Sequence, residues 1–170
     1  AGAVEAVNAN LAFSASCGQE QAVVSELSKH TYDKDRIQVV NATEVIATEE
    51  PPVNAIRKKK DSSIVVGLNL VKQGEADAFV SAGSSGAILV GGQVIVGRNK
   101  GVERPPLAPL IPTEKGVSLL IDCGAMWMPE RPIWCSLPDG SIYMEHVMGI
   151  KNRGWPLSIS VRRKKKAMRW

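Results

Sequence analysis

The chain has 170 residues, of which 44% are hydrophobic, so it is long enough to form one domain with a buried core. Aromatic residues make up only 5%, while Val, Ile, Ala and Gly are common, which favours alternating strands and helices over an aromatic-rich β-sandwich. No segment reaches the roughly 18 uncharged apolar residues of a membrane span, and no basic region followed by an apolar block opens the sequence. We therefore expect a cytosolic protein.

The formal net charge of +4 is unevenly distributed. Seven of the 21 Lys and Arg lie in residues 153–170, which contain no acidic residue, so the rest of the chain has fewer bases than acids. A nucleic-acid-binding interpretation would depend on this tail alone, and we expect no nucleic-acid partner.

Three cysteines and two histidines are the residues that would first suggest a disulfide or a metal site. Cys17, Cys123 and Cys135 are odd in number and widely spaced, which predicts reduced thiols. His30 and His146 have no partner at a recognised ligand spacing, so no metal site is predicted.

The first half of the chain shows mainly helical patterns. The predicted elements are a helix over residues 1–9, a helix over 20–29, a strand over 36–41, a helix from Pro52 to Lys60 and a helix over 64–73. The last of these has the clearest boundaries, because Asp61-Ser-Ser offers an N-cap and Gly74 ends the pattern.

A strand, a glycine-serine turn and a helix are predicted next, over residues 77–81, 81–86 and 87–96. Four prolines predict an irregular loop over 97–112, before an apolar strand over 117–122. This alternation of strands and helices predicts an α/β fold with a largely parallel sheet that is covered by helices on both faces.

The turn over residues 81–86 is the first candidate site, since ligands of parallel sheets bind beyond the carboxyl ends of the strands. Its candidate phosphate-binding residues are Ser81, Gly83, Ser84, Ser85 and Gly86. Glycines let the backbone approach a ligand, hydroxyls donate hydrogen bonds, and the first amides of a helix favour an anion. The same residues would also serve merely to make the turn and cap the helix. The string is neither a Walker A loop nor a dinucleotide fingerprint.

Four further residues are candidates for binding or catalysis. Lys60 and Ser62 combine a cation with a hydroxyl at a helix start, Arg104 follows in a proline-rich loop, and Asp122 ends the best predicted strand. For Lys60 and Ser62 a solvated helix end is the more common explanation, Arg104 alone indicates little, and a structural turn explains Asp122 equally well. No catalytic triad of serine, histidine and an acidic residue is indicated by the sequence.

Long segments of the sequence resemble the PlsX family, the bacterial phosphate acyltransferases of fatty acid and phospholipid synthesis. The resemblance runs through NATEVIATEEPPVNAIRKKKDSSIVVGLNLVKQGEADAFVSAGSSGAILVGG, RPPLAPLIPT, LLIDCGA and GSIYMEHVMGIKN. It covers most of residues 41–125 and all of 140–152, and such a series of motifs is highly specific.

The resemblance implies transfer of a fatty acyl group from acyl carrier protein to inorganic phosphate, which yields acyl phosphate. It also implies a three-layer α/β/α fold similar to isocitrate dehydrogenase and phosphotransacetylase, a homodimer, and no metal or nucleotide cofactor. The location that it implies is the bacterial cytoplasm, with peripheral association at the membrane.

Two stretches depart from the family pattern, residues 125–139 and 153–170. Reading suitable codons one base out of register restores family-like segments in both, and all four tryptophans of the chain fall inside them: Trp127, Trp134, Trp155 and Trp170. We therefore expect a partial acyltransferase domain over 1–152, incomplete at both ends, and a basic tail over 153–170 outside the family pattern. The alternative function is that of an inactive fragment which acts at most as an interaction module.

Overall fold

The computed structural model describes residues 1–98, 100, 107–114, 116–121 and 137–150. The chain forms two compact units. The described elements of the first unit are α1 (Gly2–Asn8), β1 (Ser14–Gly18), α2 (Glu20–Leu27), a 3₁₀ turn (Lys34–Arg36), β2 (Ile37–Asn41), α3 (Pro52–Lys58), α4 (Ser63–Gln73), α5 (Ser85–Gly91) and a π-helical turn (Gly92–Val96).

The N-terminal part of the first unit is a β-α-β arrangement. β1 and β2 pair in parallel, with Ser14 opposite Ile37 and Gly18 opposite Asn41. Apolar residues of α1, α2 and β2 form one small core: Val4, Val7, Leu27 and Ile37. At the carboxyl end of β2, Asn41 Oδ1 accepts a hydrogen bond of 3.1 Å from the amide of Glu20, which fixes the start of α2 beside the strand.

A second core lies among α3, α4 and α5. It consists of buried apolar residues from these helices and from the segment that precedes them: Ile46, Ala55, Ile56, Ile64, Val65, Leu68 and Ala87. α4 ends at Gly74, whose φ of 77° is the left-handed conformation that closes many helices. Each helix thus buries one apolar face in a shared core, which is the usual source of helix stability in proteins.

The second unit contains a hairpin and one helix within its described residues. β3 (Leu110–Thr113) pairs antiparallel with β4 (Gly116–Leu119), and α6 spans Leu137–His146. A Cβ atom added to Gly140 would lie 3.2 Å from Leu119 Cδ2, so the helix and the hairpin are in close contact there.

Most of the predicted helices are confirmed to within a few residues, as is the strand predicted over 36–41. The helix predicted over 87–96 begins at Ser85, and its second half is the π-helical turn. β1 and α6 had no counterpart in the predictions.

Two predicted strands differ from the structure. Residues 77–81 form no strand, because the segment has no pairing partner among the described residues and instead packs Phe79 against Gly67 of α4. The strand predicted over 117–122 is β4, and its partner β3 lies in the segment predicted to be a loop. This pair is antiparallel because a short turn connects its strands. The described residues therefore show a mixed α/β chain with one short parallel pair.

Candidate functional site

The three serines of the turn over residues 81–86 have different environments. Ser84 is the N-cap of α5 and is only 4% exposed, and its Oγ accepts a hydrogen bond of 3.3 Å from the amide of Ala87. Ser81 is exposed, and its Oγ accepts a hydrogen bond of 3.1 Å from the amide of Gly83. Ser85, the first residue of α5, is also exposed. Two of the three hydroxyls can therefore reach a ligand from solution.

Backbone amides add hydrogen-bond donors at the same place. In the first turn of α5 the amide of Ala87 bonds to the Ser84 side chain, and the amide of Ile88 donates to the Ser84 carbonyl at 3.0 Å. The amides of Ser85 and Gly86 have no acceptor within the helix, as is general for the first helical positions. The positive end of the helix dipole lies here as well. The turn therefore presents hydroxyl and amide donors where a negative charge is favoured.

The two glycines of the turn bring it close to the starts of two other helices. A Cβ atom at Gly86 would lie 2.7 Å from Cγ of Pro52, the first residue of α3. A Cβ atom at Gly83 would lie 3.4 Å from Cδ1 of Ile64, in the first turn of α4. The turn thus lies next to the N-terminal ends of α3 and α4 as well as α5, and any larger residue at Gly86 would collide with the proline ring.

The Ser62 hydroxyl is fully hydrogen-bonded between the end of α3 and the start of α4. It is 0% exposed, and its Oγ donates a hydrogen bond of 2.9 Å to the carbonyl of Lys59 and accepts one of 3.4 Å from the amide of Val65. It is the N-cap of α4, as the sequence predicts for the Asp61-Ser-Ser segment. Its predicted contact with phosphate stays a prediction.

Residues 57–60, Arg-Lys-Lys-Lys, form a basic segment. Within the described residues, Lys59 is its one member with an ion pair. Its Nζ lies 2.7 Å from Glu50 Oε1 and 2.6 Å from the carbonyl oxygen of Val45. The hydrogen bond from Lys59, together with one from the amide of Ala47, lowers the pKa of Glu50 below its ordinary value. Lys59 therefore connects the loop after β2 to the end of α3.

The neighbouring basic side chains, Arg57, Lys58 and Lys60, are exposed. None of them has an acidic partner within 4.0 Å among the described residues. Lys60 lies two residues before the cap of α4, the helix whose Ile64 contacts Gly83, so a cation is present near the helix start that adjoins the turn.

Asp61 joins the start of α4 to the segment after β2. Its carboxylate accepts a hydrogen bond of 2.9 Å from the amide of Thr43 and a second, short one from the Thr43 hydroxyl. These bonds lower the pKa of Asp61. The amide of Asp61 donates to Glu44 Oε2 at 2.9 Å, and Glu44 forms an isolated parallel bridge with Ser62. Sequence analysis missed this role, because only the helix-capping pattern is visible locally.

Comparison with known proteins supports the resemblance seen in the sequence. Residues 1–152 match the family described as "Fatty acid synthesis protein". The chain belongs to this family. The predicted PlsX relationship is thereby confirmed, and the match includes the whole turn and the whole basic segment.

Members of this fatty acid synthesis family resemble the chain over most of its length. A phosphate acyltransferase of Alkaliphilus oremlandii is 48% identical over 153 residues, which are 89% of this chain and 45% of the relative. Phosphate acyltransferases of Clostridium kluyveri and Clostridium tetani are 47% and 44% identical over 136 and 155 residues, covering 40% and 46% of those proteins. The chain spans less than half the length of these relatives.

Two candidate site residues, Arg104 and Asp122, fall within the family match but lie outside the described residues. The candidate site residues that the structure describes are those of the turn, Ser62 and Lys60. Within the part of the chain that the structure describes, no three His, Cys, Asp or Glu side chains are grouped as metal ligands would be. No helix among these residues is long and apolar enough to cross a membrane.

Proposed function

We propose that this chain binds inorganic phosphate, or the phosphate group of an acyl phosphate, at the turn over residues 81–86. The observation that carries the proposal is the set of donors where α5 begins, beside the first turns of α3 and α4. These donors are the hydroxyls of the exposed Ser81 and Ser85, and the amides of Ser85 and Gly86, which have no acceptor within the helix. The name phosphate acyltransferase, shared by the relatives, fits such a ligand.

The proposed reaction transfers a fatty acyl group from acyl carrier protein to phosphate. A phosphate oxygen attacks the thioester carbonyl carbon and forms a C–O bond, which gives a tetrahedral oxyanion. The oxyanion collapses with cleavage of the C–S bond, and the released thiolate takes up the proton that phosphate loses. Because phosphate is itself the nucleophile, the protein has mainly to position it and to stabilise the oxyanion.

Within this proposal the described residues divide into two groups. Ser81, Ser85 and the backbone at Gly83 and Gly86 contact phosphate, and Lys60 supplies positive charge. The buried caps contribute by fixing the helix starts around the turn: Ser62 and Ser84. Arg104 and Asp122 are the proposed partners of the oxyanion and of the transferred proton.

We also propose that complete family members have the three-layer α/β/α fold and form homodimers in the cytoplasm, with peripheral association at the membrane. The parallel pairing of β1 and β2 around α2 is compatible with such a fold. A solved structure of a full-length relative whose sheet lacks helices on one face would contradict the three-layer assignment.

The alternative proposal is that this chain binds phosphate or a partner without turnover. This sequence spans less than half the length of these relatives, so groups that transfer requires can lie outside it. Active sites of α/β folds combine groups from several loops, so a partial set can retain binding while transfer is lost.

The test is formation of acyl phosphate from acyl carrier protein thioester and inorganic phosphate, with hydroxylamine as the trap, by the full 170-residue chain. We expect Ser85→Ala and Arg104→Ala to abolish turnover. The matched control is Ser25→Ala, an exposed serine of α2 outside the site. Equal turnover in all variants would refute the assignment of the turn.

Direct phosphate binding, measured by calorimetry, separates the two proposals. The inactive-fragment alternative would be supported if the chain shows no turnover and its phosphate affinity falls in Ser85→Ala but not in Ser25→Ala. Phosphate binding that neither variant changes would contradict both the acyltransferase proposal and the inactive-fragment alternative.

A further inference from the structure

α3 has one buried and one exposed face. Ala55 and Ile56 are 3% and 2% exposed and lie in the core, whereas Val53 is 56% exposed. Four residues of α3 are exposed, and they form two pairs spaced four apart, Val53 with Arg57 and Asn54 with Lys58. Each pair therefore lies along one side of the helix. We call these four residues, Val53, Asn54, Arg57 and Lys58, the α3 surface.

Positive charge on this surface is not neutralised by the described part of the chain. Arg57 and Lys58 are exposed and have no acidic partner there, although Lys59 next to them is paired with Glu50. Cations at the end of a helix complement its dipole, and this accounts for charge in the last turn. It does not account for an exposed apolar side chain on the same face, four residues before Arg57.

The α3 surface is close to the candidate phosphate site. α3 begins at Pro52, which contacts Gly86 of the turn, and its seven residues span about 10 Å at 1.5 Å per residue. A partner held at Arg57 and Lys58 would therefore lie about one short helix length from the turn. A flexible thioester arm on that partner could reach the site.

We propose that the α3 surface docks the protein that carries the acyl group, through acidic side chains of the carrier that face Arg57 and Lys58 and an apolar contact at Val53. This inference rests on the proposed function, because it concerns the acyl donor of the same reaction. Exposed charges of one sign steer a partner of the opposite sign and raise its association rate.

A protein fits this surface better than an anionic lipid layer. Two cations and one valine are a small patch, whereas stable membrane anchoring generally takes two separate signals. Exposed carboxylates flank the helix in sequence at Glu49 and Asp61, and a uniformly anionic surface would be repelled by each carboxylate that it approached. A carrier with a localised acidic patch avoids that repulsion.

The test is titration of the full chain with a bacterial acyl carrier protein in its unacylated form, with phosphate absent. We expect the charge reversal Arg57→Glu/Lys58→Glu to weaken binding at least about tenfold, and added salt to weaken binding of the unchanged chain. The matched control, Lys34→Glu/Lys72→Glu, makes the same change in net charge at exposed positions elsewhere and should change affinity less than about twofold.

Each other outcome overturns the inference. Equal weakening by both double variants would mean that only net charge matters. Carrier binding that survives Arg57→Glu/Lys58→Glu would exclude this surface, and if binding to phosphatidylglycerol vesicles is lost instead, the surface serves a membrane. The phosphate calorimetry described above is independent of the carrier, so failure of the proposed function would be seen separately.

Discussion

Serine pairs begin two of the helices, and in each pair the first serine has the structural role. Ser62 and Ser84 are buried caps that accept a hydrogen bond from an amide three residues on, while Ser63 and Ser85 are the first helical residues. The two pairs are therefore equivalent in geometry. They differ in that only the second belongs to a glycine turn.

We expect cap removal to destabilise the chain more than removal of the neighbouring hydroxyl. Ser62→Ala and Ser84→Ala should each lower the free energy of unfolding by about 1 kcal/mol, because a buried amide loses its acceptor. Ser63→Ala and Ser85→Ala should have clearly smaller effects. Urea unfolding of the four variants measures this, and equal losses within a pair would contradict the assignment of the caps.

Gly86 is a packing position whose substitution should be costly. A Cβ atom there would lie 2.7 Å from the ring of Pro52, so Gly86→Ala should lower the free energy of unfolding by about 1–3 kcal/mol. Gly92→Ala is the control, because a Cβ atom at that position meets nothing within 4 Å. Comparable stability of the two variants in urea would show that α3 and α5 separate easily.

The sequence predicts which residues form the turn, but it does not predict which of them are exposed and which have a packing role. A serine before an apolar helix indicates a cap, and this local pattern is sufficient for Ser62 and Ser84. The role of Gly86 depends on its distance from Pro52, which is 34 positions earlier in the chain. Such tertiary contacts leave no local pattern that one sequence could show.

At the scale of elements, helices are better predicted than strands for a physical reason. α4 has a periodic apolar face, an N-cap residue and a terminating glycine, so its first and last residues can be predicted from the sequence. β1 is the five-residue string SASCG, whose strand conformation depends on pairing with β2. The reverse holds for residues 77–81, which have strand-like composition but no strand partner among the described residues.

The two carboxylates that flank α3, Glu50 and Asp61, should make stability depend on acid pH. The pKa values of Asp61 and Glu50 are lowered, so their stabilising contribution is fully present above the ordinary carboxyl pKa, about 4, and is lost as pH falls through the lowered values. We therefore expect the urea midpoint to fall progressively below about pH 4.

Substitution of Asp61 should remove part of this dependence. Asp61→Asn should be less stable than the unchanged chain at pH 7 and similar to it near pH 2, where both lack the carboxylate charge. Glu75→Gln is the control, since the Glu75 side chain makes no hydrogen bond or ion pair within the described residues. An unchanged pH profile in Asp61→Asn would contradict the role of the Thr43 contact.

At the scale of the whole molecule, the first unit has a very small sheet. Among the described residues β1 and β2 pair only with each other, and large apolar side chains are exposed nearby and elsewhere in the unit: Leu11, Phe13 and Val80. Two-stranded sheets are marginally stable, and open edges promote association.

We accordingly expect the isolated chain to unfold over a broad range of urea and to self-associate at high concentration. The measurement is circular dichroism in urea beside sedimentation at several protein concentrations. A single sharp transition with several kcal/mol of stability, in a monomer, would contradict this expectation.

The two stretches that depart from the family pattern lead to a prediction about the gene. If residues 125–139 and 153–170 are read out of register, the coding DNA contains family-like segments in another frame at these codons. Sequencing of that DNA is the measurement. The absence of such segments would leave the four tryptophans without this explanation.

The paired state of Lys59 has a chemical consequence for the lysines around it. Acyl phosphates are mixed anhydrides that acylate free amines, so the product of the proposed reaction would itself be a modifying reagent. Lys58 and Lys60 are exposed to it, whereas the amine of Lys59 is engaged with Glu50 and with the carbonyl of Val45. Turnover would therefore acylate the lysines of the basic segment unequally, and Lys59 would be the last of the three to react.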